Sequence, residues 1–184
     1  LHARLTSACS DERFDGARSA PLTWELWRRG RGVAILPYDP VADRVALIRQ
    51  FRLPALAAGL DPVMTECAAG LLEAGEDPEA AGRRELAEET GLVAGPMERI
   101  GRYMLMQGGC DEVMFYFAAR VALPALGAVR THGLAHEGED TRVIVLPAGE
   151  AFALLDANAI ENVTAAVCLY WLRQHRERLR RAWA

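Results

Sequence analysis

The 184-residue sequence predicts an α/β chain, one compact domain preceded by a small N-terminal antiparallel strand appendage. Short segments rich in β-branched and aromatic residues are separated by turn signals, a helix with both ends marked lies among them, and two helices finish the chain. With 51% hydrophobic and 25% charged residues, the chain can bury one sizeable core.

The elements follow in order. Residues 1–31 contain the polar Asp15-Gly16 turn before "LTWELWRR" (Leu22 to Arg29), which suits an antiparallel ribbon; residues 32–184 hold the rest. "GVAILPY" (Gly32 to Tyr38) and "RVALIRQF" (Arg44 to Phe51) read as strands divided by Asp39-Pro40. Val63 to Ala68 is a further strand, as are "VMFYFAARV" (Val113 to Val121) and "TRVIVLP" (Thr141 to Pro147). Ala122 to Glu139 reads as a loop, and helices are expected over Gly149 to Ala157 and Asn162 to Trp183. Trp24 and Trp27, three apart on a strand, should face opposite sides, one in sheet packing and the other at a dimer interface. The arginines between Arg173 and Arg181 fit the exposed face and cationic end of the last helix.

The helix among the strands has the clearest ends. Asp77 is a good N-cap, Pro78 fits the first helical position and Gly91 the left-handed residue beyond the last, so the helix should span Pro78 to Thr90. Glu85, Glu88 and Glu89 then share a face, where like charges cost about 0.2–0.5 kcal/mol per pair unless a cation sits among them. Converging carboxylates suit a hard ion such as Mg²⁺.

Charge and cysteine usage narrow the partners. A net charge of -4 and a pI near 5.6 argue against general affinity for nucleic acid or anionic membrane. No apolar run is long enough to span a bilayer. Cys9, Cys67, Cys110 and Cys168 are scattered without C-x-x-C spacing, which fits free thiols in a reducing cytoplasm better than disulfides or zinc. The four histidines lack ligand spacing and fit surface or packing roles.

Gly70, Glu76, Arg84, Glu85, Leu86, Glu88, Glu89, Gly91 and Leu92 together satisfy G-x5-E-x7-R-E-U-x-E-E-x-G-U at every fixed place. This pattern resembles the Nudix box of hydrolases that cleave nucleoside diphosphates linked to another moiety. The resemblance implies a mixed β-sheet sandwiched between helices and binding of Mg²⁺ or Mn²⁺. It makes Glu85 and Glu89 the leading metal ligands, with Glu88 assisting and Arg84 orienting the carboxylates. Ala69 matches a position whose backbone carbonyl helps hold the metal.

"LIRQFR", "ECAAGLLEAGE", "GGCDE" and "GLAHEGEDTRV" extend the resemblance from about Leu22 to the C-terminus. They are similar to the branch that cleaves ADP-ribose and, in close relatives, GDP-mannose and other nucleotide sugars. The resemblance makes Arg52 a phosphate-contacting arginine, and Glu25, Arg29, Gly108 and Glu112 substrate contacts, the first two on an N-terminal segment often swapped in a homodimer. It makes Glu137 the glutamate that activates water and Glu139 a further metal ligand. One departure bears on the sugar: Met106 and Gln107 stand where this branch usually has Ser-Pro before Gly108. A nucleotide-binding module that does not cleave, and an RNA-end or mutagenic-nucleotide hydrolase on the same fold, are the alternative readings.

Overall fold

The structure, a computed structural model, describes residues 3–124, 130–132 and 141–184. It is an α/β fold with a mixed eight-stranded sheet between helices and a separate two-stranded ribbon at the N-terminus. The ribbon pairs β1 (Ala3–Cys9) antiparallel with β2 (Leu22–Arg28). Trp24 and Trp27 both remain substantially exposed, so neither is buried in sheet packing as strand alternation suggested for one of them.

The sheet is built around β3 (Arg31–Asp39), buried from its second residue onward because helices cover both faces. Asp39 closes the following turn by accepting the N–H groups of Val41 and Ala42, both at 3.0 Å. β4 (Arg44–Phe51) pairs with β3 only at Tyr38–Val45 and Asp39–Arg44. Beyond that the strands splay and residues 63–71 wedge between them. Within the wedge, β5 (Val63–Glu66) pairs with the far half of β4, and β6 (Ala68–Leu71) with the near half of β3. Pro37, with no N–H to give, lies where β3 passes from β6 to β4. The strand expected over 63–68 is thus two, broken at Cys67.

α1 (Leu53–Ala57), β7 (Met97–Met104) and β9 (Arg130–His132) were not expected from the sequence; β9 lies inside the segment read as loop. β7 pairs antiparallel with β8 (Val113–Arg120), which runs parallel to β3, while β10 (Thr141–Pro147) pairs antiparallel with β4 and β9.

α2 (Pro78–Thr90) covers one face. Asp77 accepts the N–H groups of Glu79 and Ala80, and Gly91 ends the helix at φ 66°. A Cβ at Gly82 would press on Ile35 at 3.1 Å, so close packing on β3 offsets the roughly 1 kcal/mol that glycine costs a helix. α3 (Ala148–Asp156) and α4 (Val163–Trp183) cover the opposite face, with Leu169 and Leu172 packed over Leu36, Leu47 and Tyr116. Cys67 and Cys168 meet in this core, where the hydrogen bond between them and burial push the Cys67 thiol up. No helix among the described residues is long and apolar enough to cross a membrane.

The arginines of α4 do more than coat its outer face. Arg176 pairs with Asp43 in the β3–β4 turn, where Asp43 also accepts the Tyr38 hydroxyl at 2.8 Å; Arg178 pairs with Glu98 of β7, and Arg173 with Asp156 of α3. The Arg176 hydrogen bond holds the Asp43 carboxyl below its ordinary value of 3.8. That stabilisation is fully present above the ordinary value and is lost as pH falls through the depressed one. Asp43 has φ 55°, which asparagine tolerates, so Asp43→Asn isolates the charge. The variant should lose about 1–2 kcal/mol at pH 7, or roughly 2–8 °C in Tm. Calorimetry should show the gap closing toward pH 2; a gap unchanged there would place its source outside the ion pair.

Candidate active site

The wedge delivers Ala69 and Gly70 beneath α2, and the site begins with what a side chain there would displace. A Cβ on Gly70 would occupy the space of the Glu85 carboxylate. Glu85 and Glu89 are only 9% and 6% exposed, whereas Glu88, on the outer side of the same turn, is half-buried.

Arg84 is the organising cation. Its Nε and Nη2 grip Glu76 at 3.1 Å each, Nη1 donates to Glu85 at 2.8 Å and to Glu88 at 3.0 Å, and Nη2 reaches the Leu71 carbonyl at 3.3 Å. A planar fork fixes the directions of the carboxylates it binds. The Arg84 hydrogen bond, followed by the Glu73 N–H, keeps Glu76 below the usual carboxylate range. Burial pushes Glu85 up despite Arg84, because water is largely excluded from its oxygens. Glu89 has a different anchor, accepting the Ala69 N–H at 2.9 Å, which ties the helix to the wedge. Repulsion among the box glutamates is therefore already reduced by a guanidinium inside the cluster.

Among the described residues, no three His, Cys, Asp or Glu side chains form a group arranged to hold a metal ion. Glu137 and Glu139, the two further acidic candidates, lie outside the described residues. What is described fits a hard divalent cation in donor chemistry: two buried carboxylates of α2, one in a cradle that only glycine leaves open, beside backbone at Ala69. Gly70→Ala tests the cradle. Only the flexible end of Glu85 has to move, so stability should change by less than about 1 kcal/mol. Turnover should fall by about 10–100-fold, because a misplaced ligand of roughly 1 Å is enough for that. Unfolding curves and kcat separate the two effects; wild-type kcat would show that the placement of Glu85 is unimportant.

Two of the candidate substrate arginines, Arg29 and Arg52, are each held by a carboxylate. Arg29 donates to Glu112 at 2.8 Å and stacks over Trp27 at 4.9 Å, while Asp111 accepts the N–H groups of Arg29 and Gly30 at 2.7 and 3.1 Å. Those backbone donors hold the Asp111 carboxyl below its ordinary value. The Trp27 backbone also bonds the loop after β7, its N–H donating to the Gly109 carbonyl at 2.8 Å. Glu25, Leu26, Trp27 and Gly109 line an open cleft of about 300 Å³, with exposed Gly108 next to it in the chain. Arg52 pairs with Glu66 at 2.6 Å. A separate cleft of about 570 Å³, lined by Arg31, Arg102, Tyr103, Met104, Val113 and Phe115, contains none of the predicted residues.

Sequence reasoning did not assign roles to Glu66, Gln50 or Asp111. The available signal was Glu66 as the only charge in the strand VMTE, since a charge in such a strand needs a partner.

Comparison with known proteins agrees with this geometry. The family described as NUDIX domain matches residues 28–166. An ADP-ribose pyrophosphatase of Escherichia coli (strain K12) is 34% identical over 171 residues, covering 93% of this chain and 81% of that protein. A GDP-mannose pyrophosphatase of Enterobacter sp. (strain 638) is 32% identical over 151 residues, covering 81% of this chain and 76% of that protein. A crystal structure described as an ADP compounds hydrolase superposes with a TM-score of 0.67 at 20% identity, covering 98% of this chain and 88% of that one, a likeness of fold.

Proposed function

The chain belongs to the NUDIX family, and from that premise we propose that it hydrolyses the diphosphate of a nucleoside diphosphate sugar, ADP-ribose first, to AMP and ribose 5-phosphate. The observation that carries this reading is the intact box cluster, with Arg84 directing Glu76, Glu85 and Glu88 while Glu89 is held on the Ala69 N–H. A protein that only bound nucleotide would not need this set of buried carboxylates, which costs stability unless it is used.

Glu85, Glu89, the Ala69 carbonyl and Glu139 would hold Mg²⁺ or Mn²⁺, with Glu88 assisting. When bound, the ion supplies charge stabilisation on the phosphate oxygens. Glu137 takes the proton of the attacking water, Arg52 contacts a phosphate, and Glu25, Arg29, Gly108 and Glu112 contact the substrate. GDP-mannose is the second reading, favoured by the second relative and by Met106 and Gln107 in place of Ser-Pro, where a loop without proline is less constrained.

The test is a substrate panel of ADP-ribose, GDP-mannose, ADP-glucose and NADH with Mg²⁺ or Mn²⁺. The highest kcat/KM is expected for ADP-ribose; binding without cleavage of any of the four would sink the enzyme reading. We further propose that the N-terminal strands trade between subunits of a homodimer, so that Arg29 of one chain meets substrate bound by the other. The exposed Trp24 and Trp27 support this, since a two-stranded ribbon is marginal alone. Full activity in a species that sediments as a monomer would exclude it.

A further inference from the structure

Glu66 sits at the end of β5 with 5% of its surface exposed, and side-chain donors from the end of β4 and the start of α4 converge on it. Gln50 Nε2 of β4 donates at 3.2 Å, and Asn162 Nδ2, the N-cap of α4, at 3.4 Å. Arg52, just past β4, donates through Nε at 3.0 and 3.1 Å and through Nη2 at 2.6 Å. The contact is a two-pronged grip on one edge of the guanidinium, and the Arg52 side chain as a whole is 42% exposed.

A carboxylate this buried is an expensive way to join strands, because well-packed apolar residues do that at no desolvation cost. What a carboxylate provides here is direction. With Nε and Nη2 engaged, the planarity of the guanidinium determines where its other N–H bonds point. Glu66, the last residue of β5, lies three residues before Ala69 of β6 in the same wedge, and Ala69 carries the anchor of Glu89. One short stretch of chain therefore sets both the arginine and the backbone beside the box carboxylates.

We propose that Glu66 is a positioning residue that acts through Arg52, holding its guanidinium in the orientation that receives a phosphate of the substrate. Gln50 supports it from the neighbouring strand. The inference rests on the phosphate-contacting role of Arg52 in the preceding reading.

The test is a double-mutant cycle in ADP-ribose hydrolysis, with kcat, KM and Tm measured for Glu66→Gln, Arg52→Ala and the pair. Glu66→Gln keeps the shape and loses the charge. KM should rise about tenfold with kcat changed much less, the size expected when a charge-assisted contact to substrate is misdirected. In the Arg52→Ala background Glu66→Gln should add nothing further to KM. An equal KM increase in both backgrounds would overturn the proposal, as would wild-type KM in Glu66→Gln when Arg52→Ala raises it. Arg52→Lys keeps a positive charge without the fork and leaves Glu66 in place, so it also decides the matter if Glu66→Gln fails to fold. It should reproduce the rise, and an unchanged KM would show that orientation is irrelevant. An unchanged KM in Arg52→Ala would remove the phosphate role of Arg52 and the inference together, whereas a wild-type protein without turnover would instead sink the hydrolase reading.

Discussion

Glu89→Gln is expected to lower kcat by about 10³-fold or more while the fold stays intact, since a charged ligand to a divalent cation is lost and the cation's stabilisation of phosphate charge goes with it. The fold survives because a glutamine carbonyl can still accept the Ala69 N–H that Glu89 accepts at 2.9 Å. Removing a charge that is only 6% exposed also relieves desolvation, so Tm without added metal should be unchanged or slightly higher. The same dependence should appear in wild-type protein: EDTA should abolish turnover, and Mg²⁺ or Mn²⁺ should restore it. Undiminished turnover in chelator would end the metal reading, because Arg84 alone would then suffice as the cation of the cluster.

The second large effect concerns Glu137. Glu137→Gln should lower kcat by about 10²–10⁴-fold with KM near wild type, the size expected for removing a general base. Glu139→Gln should instead raise the Mg²⁺ concentration needed for half activity, since a ligand has gone and the base remains. Attack at phosphorus predicts that hydrolysis in heavy-oxygen water labels AMP or ribose 5-phosphate on phosphate and leaves the sugar carbons unlabelled. Wild-type turnover in Glu137→Gln would move the base elsewhere, with Glu139 and Glu112 the first places to look.

The site was unevenly legible in the sequence. Arg84, Glu85, Glu88 and Glu89 could be placed together because helical spacing and two end signals determine which residues share a turn. The ion-pair partners of Arg29 and Arg52 could not be read this way. Arg29 finds Glu112 across 83 residues and Arg52 finds Glu66 across 14, separations that only the sheet closes. Trp27 shows the same limit: alternation assigns Trp24 and Trp27 to opposite faces but not what covers either, and the ribbon, outside the main sheet, leaves both exposed.

By itself the sequence determined α2, with Asp77, Pro78 and Gly91 at its ends, the buried strands β3 and β8, and the set of carboxylates that α2 carries. These depend on local spacing and on capping groups a few residues apart, which act before any distant partner is in place. Only the tertiary structure decided that β3 and β4 part after two paired residues and admit the 63–71 wedge. It also made an edge strand of residues 97–104, where the alternation is weak and a bulge lies between Arg99 and Gly101. The wedge opposes two strand halves distant in sequence, and whether they splay depends on the competing pairing offered by β5 and β6, a choice not encoded in the periodicity of any one segment. That choice buries Glu66 next to Arg52 and sets the Glu85 carboxylate over Gly70.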